Sequence, residues 1–216
     1  MKTIIVVELI AFVAIMIADA RGWIPLTQTI ALLPMVALAM WMQGQPWAKI
    51  GWRASDNWSR AISIGVVAGV AMEMLAVSVT TPMMSRMLGT EPDYSALKGI
   101  RGNVKMLLTF LALSWTLAAF GEEICFRGFL MERLARFFGD SQAAWLAALL
   151  LSSILFGWGH TEQGVAGWLQ EGLSGLLLGL LLLATGNNLT VPIVAHGVSN
   201  TLAFVLIYLD RYPGLK

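Results

Sequence analysis

Charge is what this sequence lacks most. Lys, Arg, Asp and Glu together make up 12 % of its 216 residues, against roughly 25 % in soluble domains. The charges nearly cancel, to a net +1, so no strong field exists to hold nucleic acid or another polyanion. Cysteine occurs once, which excludes an intramolecular disulfide framework and any CxxC metal site. Polar low-complexity sequence is missing as well, and the high apolar content excludes an intrinsically disordered chain.

What is present is apolar sequence, 57 % of the chain before its 21 glycines are counted. Crossing a hydrocarbon core of roughly 30 Å takes about 20 mostly apolar residues in a helix. Runs of that kind lie at 3–20, 23–42, 61–81, 104–120 and 142–157. The stretch 172–209 has no Asp, Glu, Lys or Arg, and as one helix it would reach about 57 Å at 1.5 Å per residue. Gly186-Asn187-Asn188 breaks it, so two helices are expected there, at 165–185 and 189–208. The fold class is therefore all-α: a polytopic transmembrane helix bundle of about seven spans. An eighth arises if the segment after Gly121 dips back into the bilayer. With no internal repeat and no linker, residues 1–216 read as a single membrane domain.

The first twenty residues resemble a signal peptide, with Lys2 before an apolar run and Ala18-Asp19-Ala20 at its end. Glu8 interrupts that run, and the rest of the chain is itself membrane-spanning, so an uncleaved first helix is expected. The polar connection 43–60 interleaves Trp47, Trp52 and Trp58 with Lys49, Arg53 and Arg60. Indole rings and snorkelling cations settle at membrane interfaces in this way. A second connection, 83–103, mixes both signs of charge. Lys and Arg are nearly balanced between the two sides, so the orientation stays open.

Ionisable side chains at membrane depth cost at least about 2.5–3.5 kcal/mol each, and they usually face a bundle interior and serve a function. Here they gather in the second half, as Gly121-Glu122-Glu123-Ile124-Cys125-Phe126-Arg127, as Phe156-Gly157-Trp158-Gly159-His160 and as His196-Gly197-Val198-Ser199-Asn200. Both histidines of the chain belong to this set. Glu123 and Arg127 stand four apart with the acid first, the favourable order for an ion pair on a helix. Glu122 lies about 100° around from Glu123, and is expected to face a different cavity and stay free for chemistry. His196 and Asn200 share one helical face and offer two hydrogen-bond donors to one point. His160 follows an aromatic-glycine run suited to ending a helix.

A buried carboxylate can deprotonate water, and donors aimed at a developing oxyanion stabilise a tetrahedral intermediate. The same side chains, Glu122, His160 and His196, are also acceptable zinc ligands, with a metal-bound water as nucleophile. Residue types leave the two mechanisms open. A non-catalytic transporter or immunity protein is a further reading, because buried Glu and His also relay protons. Against it, the polar residues sit in one half of the chain, without the repeat symmetry of transporters. Cys125 as a thiol nucleophile competes with its ordinary role as a small buried hydrophobe. Glu8 and Glu73 stand isolated and read as interior hydrogen-bonding residues. Gly172, Gly175 and Gly179 read as a close-packing stripe. The stretch 156–167 offers no evident substrate pocket.

The three motifs, EExxxR, FxxxH and HxxxN in that order, resemble the CPBP intramembrane protease family, which includes CAAX prenyl endopeptidases and bacteriocin-processing or immunity proteins. The resemblance covers about 113–204, the motif-bearing half. It implies an intramembrane endopeptidase that hydrolyses a peptide bond near the membrane. Glu122 would activate water, His160 would hold that water, and His196 and Asn200 would form the oxyanion site. Glu123 and Arg127 would support the geometry. No cofactor is expected on this reading, zinc being the alternative. The expected partners are a membrane-associated or lipidated peptide and the bilayer, with no nucleic acid. The expected location is an integral position in the plasma membrane of a prokaryote.

Overall fold

The computed structural model describes residues 2–213 and 215, and among these the chain is helical with no strand. Seven helical rods follow one another: α1 Lys2–Ala20, α2 Thr29–Met42, α3 Trp58–Leu88, α4 Val104–Phe137, α5 Gln142–Trp158, α6 Gly164–Ala184 and α7 Thr190–Tyr208. Each reverses the direction of the one before. Contacts between connections confirm the alternation. The Leu189 N–H donates to the Gly51 carbonyl at one end. At the other end Gly102 N–H donates to Tyr208 O, and Arg101 pairs with Asp210 at 2.9 Å.

Large apolar side chains remain on the outside. Val7, Ile10, Val67 and Leu108 are each more than 60 % exposed. Their number and their placement along the rods suit contact with lipid tails rather than water. The protein is a helical integral membrane bundle.

The lengths of the rods are uneven. Five helices are long and apolar enough to cross a membrane, while α2 and α5 are shorter. Helix α2 has 14 residues, about 21 Å at 1.5 Å per residue. The expected start at residue 23 fails because Pro25 and the left-handed Leu26 (φ 67°) hold residues 23–28 in turns. Helix α5 has 17 residues, about 26 Å. The re-entrant eighth segment is absent as a separate element. Instead α4 runs on through Gly121 for 34 residues to Phe137. The break before α7 falls where expected, with Gly186 (φ 73°) and Asn187 (φ 57°) in left-handed conformations.

Helix α4 positions the site. Its first ten residues bury none of their side chains, whereas everything from Gly121 to Ala135 is buried. The rod thus starts on the periphery and ends in the centre of the bundle. From Ser114 to Leu130 it is wound as a π-helix, with i→i+5 hydrogen bonds. More residues per turn means a smaller angle between neighbours, so consecutive side chains can address one partner helix.

Two sets of contacts hold α4. Towards the core, Phe12, Leu32, Val36, Phe126, Phe129 and Phe156 form one apolar cluster, with Phe126 edge-on to Phe12 at 5.3 Å and to Phe156 at 5.2 Å. Towards its C-terminus, fully buried Arg133 donates to Glu8 at 2.7 Å and pairs with Glu132, while Arg136 reaches Glu132 at 3.2 Å. Gln43 donates to the other oxygen of Glu8. Glu8 is therefore not isolated; it ties α1 and α2 to α4.

Close approach of backbones brings the remaining motif helices together. The most extensive packing joins α3 to α7, where Gly69 leaves no room for a methyl group against the Ala195 carbonyl and Val198. At Gly157 the backbone of α5 lies against Trp168 and Gly172 of α6. Gly175 and Gly179 continue that face, against Phe156 with Arg127 and against Leu149 respectively. The glycine stripe is a packing surface.

Candidate active site

Glu123, Arg127, His196 and Phe156 form a buried frame. The Glu123 carboxylate Oε1 accepts from His196 Nδ1 at 2.9 Å and lies 3.1 Å from Arg127 Nη1. The Glu123–Arg127 pair is essentially dry, with side chains 0 and 1 % exposed. The Arg127 N–H groups are not well aligned for hydrogen bonds, and the guanidinium instead stacks over the Phe156 ring at 4.0 Å. A cation over an aromatic face in a desolvated site is a favourable electrostatic contact. Phe156 thus touches parts of all three motifs. Its carbonyl accepts from His160 Nδ1 at 2.9 Å, its ring lies 5.0 Å from the His160 ring, and it meets the His196 ring edge-on at 6.3 Å.

These bonds set the tautomers. A carbonyl oxygen only accepts, so His160 carries a proton on Nδ1, and a neutral ring leaves Nε2 as an acceptor. His196 likewise donates Nδ1–H to Glu123, and its Nε2 points the other way, 4.0 Å from Glu122 Oε2. Glu122 lines the cavity described below and Glu123 does not, although the two acids approach His196 from opposite ring nitrogens. For His196 to donate at Nε2 while bonded to Glu123, its ring must hold two protons.

Glu122, His160, His196 and Asn200 all line one cavity of about 320 Å³. Asn200 donates one N–H to Ser114 Oγ at 3.0 Å, leaving the second available to the cavity. The stretch 156–167, read from sequence as lacking a pocket, contributes Phe156, His160 and Gln163 to this wall. Cys125 does not line it; the thiol is fully buried in the apolar cluster. A thiol nucleophile at this site is thereby removed.

Residues 104–202 match the family model described as Type II CAAX prenyl endopeptidase Rce1-like. That segment, a little under half of the chain, is similar to the CAAX-type proteases of the CPBP family. The match takes in all three motifs and supports a membrane peptide hydrolase of the CAAX kind as the general class. No curated protein and no solved structure matches it.

Metal binding can be tested against the donors. Among the described residues, no group of three His, Cys, Asp or Glu side chains is placed to hold a metal ion. Nδ1 of each histidine is committed, to Phe156 O and to Glu123, which leaves Nε2 of each ring as the nitrogen a metal would take.

Sequence reasoning missed three wall residues. Glu73 of α3, set aside as an isolated acid, lines the same cavity and accepts from Ser199 Oγ at 2.9 Å. Ser114 orients Asn200. Glu171 of α6 adds a third carboxylate to the wall. The signals available were an acid inside an apolar run and a serine inside the HxxxN motif, neither informative until α3 and α7 are packed.

Proposed function

We propose that the chain is an intramembrane endopeptidase in which Glu122 activates a water molecule without a metal. The carrying observation is the division of labour between adjacent acids. Glu123 is spent on Arg127 and His196, whereas Glu122 faces the cavity with His196 Nε2 4.0 Å away. That gap is too long for a direct hydrogen bond, so the Glu122 carboxylate stays open to the cavity.

In this reading Glu122 takes a proton from water as its oxygen attacks the scissile carbonyl carbon, with His160 Nε2 accepting the water's second hydrogen bond. The free N–H of Asn200 and the His196 ring donate to the oxyanion of the tetrahedral intermediate. The proton on Glu122 then passes to the leaving nitrogen as the C–N bond breaks. The substrate is a membrane-associated or lipidated peptide, and the enzyme resides in the plasma membrane of a prokaryote.

The test is cleavage of a membrane-anchored peptide, prenylated and unprenylated, by purified protein. Glu122→Ala should lose about 10²–10⁴-fold or more in rate, the usual worth of general-base catalysis. Equal activity in wild type and Glu122→Ala sinks the assignment. Activity that disappears on exhaustive chelation and returns with zinc rejects the metal-free mechanism.

A further inference from the structure

The HxxxN segment of α7 is gripped by two residues that belong to none of the three motifs. Ser114 and Trp115 are neighbours on α4, and both reach α7 there. Buried Ser114 lines the cavity, and its Oγ accepts one N–H of Asn200 at 3.0 Å. The two N–H bonds of a carboxamide diverge in one plane, so holding one aims the other. Trp115 grips the adjacent face of the same turn. Its indole Nε1 donates to Thr201 Oγ1 at 3.1 Å, and that hydroxyl donates to the Gly197 carbonyl at 2.6 Å. Gly197 and Thr201 stand four apart, on one side of the helix. The indole ring takes the place of a side chain at Gly197, where a Cβ would come within 2.6 Å of three ring carbons. Trp115 is 39 % exposed, towards the outside of the bundle. Lipid tails offer no partner to an indole N–H, so the Thr201 bond keeps the ring in register with α7.

We propose that Ser114 and Trp115 are positioning residues of the oxyanion site: Ser114 aims the free N–H of Asn200, and Trp115 fixes the turn of α7 that carries it. The inference rests on the peptidase reading and names what holds its donors. Neither residue supplies an acid, a base or a nucleophile; both act through Asn200. The two contacts constrain different motions. The Ser114 bond sets the direction of the Asn200 side chain. The Trp115 ring on Gly197 sets how closely α4 and α7 approach, and the bond to Thr201 opposes sliding along the axis. An oxyanion donor works at about 2.7–3.1 Å from the developing charge, so an error of about 1 Å takes it out of range. Plain helix packing would need only the ring on Gly197. The hydrogen bonds to Asn200 and Thr201 add direction, which packing alone does not supply.

Two readouts separate aim from packing. The first is turnover of a membrane-anchored peptide by the full chain in nanodiscs. Removing an oxyanion donor costs about 10²–10³ in kcat. Ser114→Ala should lose about tenfold or more within that ceiling, in kcat rather than KM. In an Asn200→Ala background the same change should cost less than about twofold, because nothing is left to aim. Ser114→Thr keeps the hydroxyl and should recover most of the loss. Trp115→Phe keeps a ring on Gly197 but drops the indole N–H; it should also lose kcat, and adding Thr201→Val should not deepen that loss. The second readout needs no turnover. In protein carrying isotope-labelled asparagine, the side-chain amide resonances of Asn200 are identified by their loss in Asn200→Ala. They should move or broaden in Ser114→Ala and in Trp115→Phe, and return towards their place in Ser114→Thr. A kcat loss that multiplies in full with Asn200→Ala, a loss carried by KM, or resonances unmoved by Ser114→Ala overturns the proposal. If the wild type cleaves nothing while the resonances still move, the peptidase reading fails and the aiming of Asn200 stands.

Discussion

The two adjacent glutamates should fail in opposite ways. Glu123 is fully buried between Arg127 and His196, so Glu123→Ala strands a guanidinium that is 1 % exposed. Breaking a buried pair by removing one partner costs about 3–5 kcal/mol. The stacking of Arg127 on Phe156 at 4.0 Å survives the change, which favours the lower end. At roughly 2–4 °C per kcal/mol for a chain of this size, about 3 kcal/mol lowers Tm by about 6–12 °C. Glu122 has only the 4.0 Å approach to His196, so Glu122→Ala should move Tm by no more than about 2 °C, in the range of a substitution that breaks no buried network. Thermal unfolding of both variants in the same detergent gives the comparison. A second check is Glu123→Ala combined with Arg127→Met, which removes the stranded charge and should recover most of the loss. Equal Tm shifts for Glu122→Ala and Glu123→Ala, or no recovery in the double variant, would refute the separation of a supporting acid from a reacting one.

Gly69→Ala would place a methyl 2.8 Å from Val198 Cβ and tighter still against the Ala195 carbonyl. Relief needs a shift of α7, which carries His196, of the order of 1 Å, a misplacement that can cost about 10²-fold in rate; kcat/KM on an anchored peptide measures it, and unchanged activity would contradict the packing account. Arg133→Ala leaves Glu8 and Glu132 without their shared cation and should destabilise the fold by about 3–5 kcal/mol, seen as a lower Tm while KM of the folded fraction is kept. Burial raises the Tyr212 and Tyr94 phenols above the usual value of 10. Because the folded state then holds protons that the unfolded chain releases, stability is present below about pH 10 and falls as pH rises beyond it. Tyr212→Phe should flatten the decline of Tm between about pH 9 and pH 11; an unchanged slope would count against the burial.

How much of this was legible in the residues varies with the kind of interaction. The Gly186-Asn187-Asn188 break was readable because left-handed backbone is a local property of Gly and Asn. Membrane residence was readable because transfer into lipid depends on composition. The Glu123–Arg127 pair was readable because four residues along a helix bring side chains together. The shortness of α2 was not, since an uncharged run says nothing of the turns that Pro25 and Leu26 impose at its start. Nor was the role of Phe156, whose contacts with Arg127, His160 and His196 draw on three helices.

The sequence by itself determined the solvent, the helical class and the scarcity of polar groups that made three short motifs stand out. These depend on composition and on spacing within one helix. Only the tertiary structure decided which groups share a cavity and in what protonation geometry. Glu122 and Glu123 approach opposite nitrogens of His196, close packing at Gly69 brings Glu73 to Ser199, and Cys125 is turned into the core. Each of these is a relation between helices distant in sequence, set by how backbones approach, and no local pattern encodes it.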